Sequence, residues 1–259
     1  MILNIQDDIL KLQSLGLLDK LLLDKTTGKR IMWATDAYTA LGPRYGRNEE
    51  ITPELITGPN ASVIKTRARK EMEQQSSRTR QHGEVSTPLW VCRKMCDYAD
   101  EMWDSKARWQ KYVDARVLEI TCGEAPFLVS RYDVETGEAI PVPDRIGLLD
   151  RKLQTVNENA QTEEEWLKWA FRAFHATYGY EFQGDNLLIA RVNLLMTFEE
   201  YLWERWRRKP ALSEYGKLIT VIVWNVWQMD GLHGAIPYST AEEEFRQFSL
   251  FEFLDGMSE

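Results

Sequence analysis

The sequence predicts an α/β fold: an open, doubly wound sheet with helices around it and a helical extension at the N-terminus. Three observations carry the prediction. Short apolar runs that end at an acidic residue or a turn recur at VLEIT (117–121), YEFQGD (180–185) and NVWQMDG (225–231). Segments with apolar residues every three to four positions separate them, and that alternation of strand and helix builds such sheets. The 259 residues are enough for one full core of this kind, or a core with a smaller appended element.

Residues 1–82 read as a mainly helical N-terminal region with a loop-rich segment. Ile2, Ile5, Ile9 and Leu12 stand at helical spacing, Gly16 interrupts the pattern, and Leu18 and Leu22 resume it, so two short helices are expected. IMWATDAY (31–38) is β-like, and Pro and Gly punctuate 42–60. The stretch 62–82 gathers Lys65, Arg67, Arg69, Lys70, Arg78 and Arg80 against two Glu, and reads as one long helix with a basic face. Residues 83–259 read as the sheet-bearing region. Thr87-Pro88 places proline at the first turn of a helix running towards 103. APFLVSRYD (125–133) reads as a helix start after the first strand, and 133–145 as a loop. Helical periods follow over 145–160 and 162–179, the second capped by Thr162, and then over 186–206 and 211–223.

Charge and composition exclude several classes. A net charge of −8 makes the whole molecule repel nucleic acid, so contact with DNA needs a locally basic surface. The basic stretch 65–80 is the first candidate, and WERWRRK (203–209) the second. Three cysteines form no disulfide framework, which fits a reducing cytoplasm, and no metal site is expected at Cys92 and Cys96. MILNIQDDIL lacks the basic start of a signal peptide, and LITVIVWNVW is too short to span a membrane. His82, His175 and His233 are scattered and suggest no site; the ten tryptophans suit core and interface packing.

The three strand ends fit a nucleoside cofactor. Ligands of open α/β sheets sit outside the C-terminal ends of adjacent strands. The TCGEAP turn (121–126) lets backbone approach a ligand, but it is neither GxGxxG nor GxxxxGK[ST]. Glu124 within it would repel a pyrophosphate and accept from a cation, which points to S-adenosylmethionine. Asp185 is read as the strand-end carboxylate for the ribose diol, and Asp230 as the polar group beside the base.

Four motifs in this order resemble those of the adenine-N6 DNA methyltransferases, the modification (M) subunits of restriction–modification systems. They are GEVSTP (83–88), LEITCGEAPFL (118–128), FQGDNLLIARVNLL (182–195) and NVWQMDGL (225–232), over about residues 83–235. Two positions depart from the family pattern: Ser86 stands for an aromatic, and Ala125 for the second glycine of the loop. The resemblance implies a Rossmann-like, S-adenosylmethionine-dependent methyltransferase sheet. It also implies that Thr87 and Pro88 line the methionine end. Glu119, Thr121, Cys122, Gly123 and Glu124 would then surround the amino acid and sulfonium, with Asp185 on the ribose and Asp230 on the adenine. The family's Asn/Asp-Pro-Pro-Tyr/Phe tetrapeptide, which holds the flipped base, is missing; TDAY (35–38) ends in Tyr without a proline. The roughly 29 residues after Asp230 leave little room for further strands. No catalytic residue is therefore assigned. Three functions follow as expectations: a methyltransferase of adenine in duplex DNA, a catalytically inactive, methyltransferase-like regulatory protein of a phage or defence system working in an oligomer, or a cofactor-dependent enzyme acting on another nucleophile.

Overall fold

The computed structural model describes residues 2–70, 87–101 and 108–237. The chain opens with α1 (Ile5–Ser14), whose Ile5, Ile9 and Leu12 form one buried face and whose Asp7 and Asp8 favour the positive helix start. Gly16, at φ +67°, turns the chain into α2 (Leu18–Leu21), so the two-helix expectation holds. IMWATDAY does not become a strand. Met32 makes one isolated bridge to Glu50, while the Trp33 and Ala34 amides bond to the carbonyls of Glu49 and Arg47. A short α3 (Pro53–Ile56) follows.

The long basic helix expected over 62–82 is overturned where it is described. Residues 61–70 are turns with one 3-10 turn at Arg67–Arg69, and 71–82 lie outside the described residues. Tertiary contact overrides the helical pattern: Ile64 and Lys70 are buried, and the Arg67 N–H is bonded to the distant Glu124.

Further on, α4 (Leu89–Glu101) starts where Thr87-Pro88 predicts, with the Pro88 carbonyl accepting from Val91 and Cys92. Cys92 and Cys96 form its buried face. After α5 (Trp109–Asp114) and β1 (Val117–Glu119), the helix expected from Pro126 is absent. Gly123 (φ +55°) and Ala125 (φ +68°) are left-handed, and the Leu128 and Val129 amides turn back to the Ala125 carbonyl. A loop then leads to α6 (Leu148–Asn159).

Next come α7 (Glu163–His175), capped by Thr162 Oγ1 at 3.2 Å from the Glu165 amide, and β2 (Thr177–Glu181). The helical reading to 179 thus overran, because Thr177–Gly179 belongs to β2. The centre of the protein is α8 (Gly184–Trp206), buried from Gly184 to Phe198 with no polar face along that length. The last described elements are α9 (Leu212–Asn225) and β3 (Val226–Gln228).

The three strands form a parallel sheet in the order β1-β2-β3, with Leu118 opposite Tyr178 and Tyr180 opposite Trp227. Parallel neighbours require helical crossovers, so a mixed α/β fold is established. Side chains of α1 and α2 share one core with Leu187, Leu194 and Leu195 of α8. Among the described residues no helix is long and apolar enough to cross a membrane.

Candidate functional site

An open cleft lies at the C-terminal end of β1, walled by the turn that follows the strand and by Asn186 of the first turn of α8. Six of the residues predicted for a cofactor line it: Thr87, Glu119, Thr121, Cys122, Gly123 and Glu124. Pro126, Phe127, Val134, Arg67 and Asn186 complete the wall. Segments far apart in sequence therefore meet here. Thr87 arrives at the start of α4, the turn leaves β1, and Arg67 comes from the N-terminal region.

Of the two strand-end carboxylates, Glu119 lines the cleft, while Glu181 is outside the lining and bonds the turn through the Gly123 amide. Glu119 closes β1, with Gly179 as its register partner, and Glu181 closes β2 two residues further on. Side chains of a strand alternate, so both acids project to the same face. Glu181 accepts from the Gly123 amide at 2.9 Å and the Gln183 amide at 2.9 Å. Glu119 Oε2 is buried and has no hydrogen-bond partner among the described residues. Burial, and then the neighbouring Glu181, push the Glu119 carboxyl well above the usual range. Burial also raises the Cys122 thiol strongly and takes Cys92 and Cys96 to about 12. These cysteines are neutral thiols at physiological pH and are not poised as nucleophiles.

Glu124 faces the cleft but is also engaged within the fold. It accepts from the Arg67 amide and the Tyr132 hydroxyl, each at 2.6 Å, so it pins the N-terminal region to the turn. Pro88 is not part of the wall; its carbonyl starts α4.

The two aspartates depart from their predicted places. β2 ends at Glu181, and Asp185 lies in the first turn of α8, fully buried and outside the cleft wall. Its Oδ2 accepts from Tyr38 Oη at 2.7 Å and Lys70 Nζ at 3.2 Å. Nor does Asp185 cap the helix, since that position belongs to Gln183. Asp230 stands two residues beyond β3, where Oδ1 accepts from the Leu232 and His233 amides and Oδ2 pairs with His233 Nδ1 at 2.7 Å. Its loop nevertheless reaches the β1 end. A Cβ on Gly231 would stand 1.7 Å from the Ile120 carbonyl oxygen, so only glycine permits that approach.

The basic residues divide. Lys70 is buried against Asp185 and Asn186, which removes it from any DNA-facing surface. Arg69 is exposed and donates to Asn4 at 2.9 Å, Lys65 is half-buried, and Arg78 and Arg80 lie outside the described residues. In WERWRRK, Arg208 is held by Glu163 and Glu214, while Arg205 lies 4.9 Å from the Trp206 ring. Tyr38 of TDAY spends its hydroxyl on Asp185 and its ring on Trp33.

Sequence reasoning missed Asn186 as a wall residue and Glu181 as the acid that bonds the turn, and it placed Arg67 on a DNA-facing surface rather than in the cleft wall. The signal for Glu181 was present: it is the acid that directly ends the β-like run TYGYE, ahead of the Phe182-Gln183-Gly184 break. Comparison with family models, curated proteins and solved structures finds no match to this chain.

Proposed function

We propose that this chain is an S-adenosylmethionine-binding, Rossmann-like methyltransferase domain of the adenine-N6 DNA type, or the M subunit of a restriction–modification system. One observation carries the reading: Thr87 and the Glu119–Glu124 turn, far apart in sequence, line one cleft at the C-terminal end of β1 in a parallel sheet. The residues suit the cofactor chemically. The orphaned Glu119 Oε2 offers an acceptor to a cationic group, and Gly123 leaves open space where a side chain would stand. In this reading Glu181 holds the turn in place through the Gly123 amide, and the Asp230 loop borders the base. The cofactor supplies an electrophilic methyl group; the protein binds it, orients it and keeps its own thiols protonated.

A second reading, a catalytically inactive binding or regulatory subunit, is favoured by the missing Asn/Asp-Pro-Pro-Tyr tetrapeptide. Duplex DNA incubated with methyl-labelled cofactor separates the two. Label in adenine supports the enzyme; cofactor binding without transfer supports the regulatory subunit. Neither binding nor transfer rejects the cofactor itself.

A further inference from the structure

Resting on that reading, we infer that the cleft takes up its cofactor in exchange for a proton, which Glu119 holds in the ligand-free protein and a cationic group of the ligand expels. The geometry divides the two strand-end acids. Glu181 is supplied with two backbone N–H donors, the partners a carboxylate needs, whereas Glu119 Oε2 is buried with none among the described residues. Two like charges on one face of adjacent strands, one of them with a buried oxygen that no donor among the described residues reaches, do not both stay ionised without cost, so the proton settles on Glu119. An ammonium or sulfonium group reverses the balance. Once a fixed positive charge stands beside Glu119, the carboxylate is the favoured form, and its proton leaves to solvent.

The other charged and titratable groups around the pair leave this assignment intact. Cys122 of the turn and Cys92 and Cys96 of α4 are neutral thiols that burial keeps protonated. Glu124 bonds with Arg67 and Tyr132, and Arg67 lines the same wall. Arg191 of α8 acts on Cys122 from behind, with its guanidinium bonded to the carbonyls of Val226, Leu21 and Leu23. No metal-ligating cluster is found among the described residues to compete for the two acids.

The inference is tested by calorimetry of S-adenosylmethionine in buffers of different ionisation enthalpy. The range is about pH 5.5–7.5, where α-amino groups keep their proton. About one proton is released per site, and affinity rises by up to about tenfold per pH unit. 5′-Methylthioadenosine keeps the adenosine but carries neither positive charge. It binds with no release and a flat profile. Glu119→Gln mimics the protonated acid, so the fold is retained; release and pH dependence are abolished while methylthioadenosine binding persists. Infrared spectroscopy reads the proton without any ligand, as a carboxylic-acid carbonyl band that disappears in Glu119→Gln. Absence of that band, or cofactor binding with no proton release, overturns the exchange. The band together with no cofactor binding overturns the cofactor reading and spares the buried acid.

Discussion

Lys152 shows how one residue links burial to pH. It is 2% exposed, and its Nζ donates to the Ala115 and Ala176 carbonyls, just ahead of β1 and β2. Desolvation takes its pKa from the ordinary 10.5 to about 7. Between those values the unfolded chain binds a proton that the native protein does not. Stability therefore rises with pH from about 7 towards 10.5, by up to about 1.4 kcal/mol per unit, and is flat in this respect below 7. Urea melts between about pH 7 and 8.5, below the range where the cysteines of the unfolded chain ionise, should show the slope in wild type and lose it in Lys152→Met; an unchanged slope would contradict the buried neutral amine. The same scale decides which carboxylate serves the cleft. Glu181→Gln should weaken S-adenosylmethionine binding at least tenfold in a titration and lower the melting temperature, because its two oxygens accept from the Gly123 and Gln183 amides and a glutamine keeps only one of those bonds. Equal affinity would remove Glu181 from the site. Most of the wall was legible in the sequence, since the TCGEAP turn and Thr87 are local motifs whose residue types announce themselves. Glu181 was not, because one acid four positions from another in YEFQGD can be assigned only once the end of the strand is known.

Asp185 acts at the scale of elements. It joins the first turn of α8 to the N-terminal region through Lys70 and Tyr38, with side-chain exposures of 0% for Asp185 and 3% for Lys70. Removing one partner of a buried pair leaves the other charge desolvated and without that attraction, so Asp185→Ala should cost roughly 3–5 kcal/mol and Lys70→Met a comparable amount. The double variant Lys70→Met/Asp185→Leu should recover much of that loss, a coupling that a double-mutant cycle in denaturant reads directly; additive losses would contradict the pair. The Ala-Arg-x-Asn-Leu-Leu run of α8 works the same way. Arg191 bonds carbonyls at the end of α2 and at β3, and Asn193 Nδ2 donates to the Glu124 carbonyl and the Tyr132 hydroxyl. Period and caps made the helices legible, including the break at Gly16 and the start at Thr87-Pro88. Segments whose shape is imposed from outside were not. Residues 61–70 and 125–133 carry helix-like patterns but are held as turns by Glu124, the left-handed Ala125 and the Ala125 carbonyl.

The whole molecule draws its core from both ends of the described chain. Ile5, Ile9, Leu12, Leu18, Leu21 and Leu22 are at most 1% exposed and belong to the same apolar cluster as α8. Burying each contributes about 1.5–3 kcal/mol, so the six together rival the roughly 5–15 kcal/mol net stability of an ordinary domain. Arg191 would also lose the Leu21 and Leu23 carbonyls, and Glu124 the Arg67 amide, if that region were removed, leaving polar groups buried beside an uncovered helix. The sequence marked a boundary near residue 82, but a fragment beginning at Gly83 would expose the inner face of α8 and strip Arg67 from the cleft wall. Expressed alone, residues 83–259 should aggregate or melt without a cooperative transition, whereas the full chain should unfold in one step by both far-UV and tryptophan signals. Adding residues 1–82 back as a separate chain should restore cooperative folding if the shared core is sufficient to bring the two together. A fragment that melts cooperatively on its own would show that the sheet region carries an independent core, and that the N-terminal helices only decorate it.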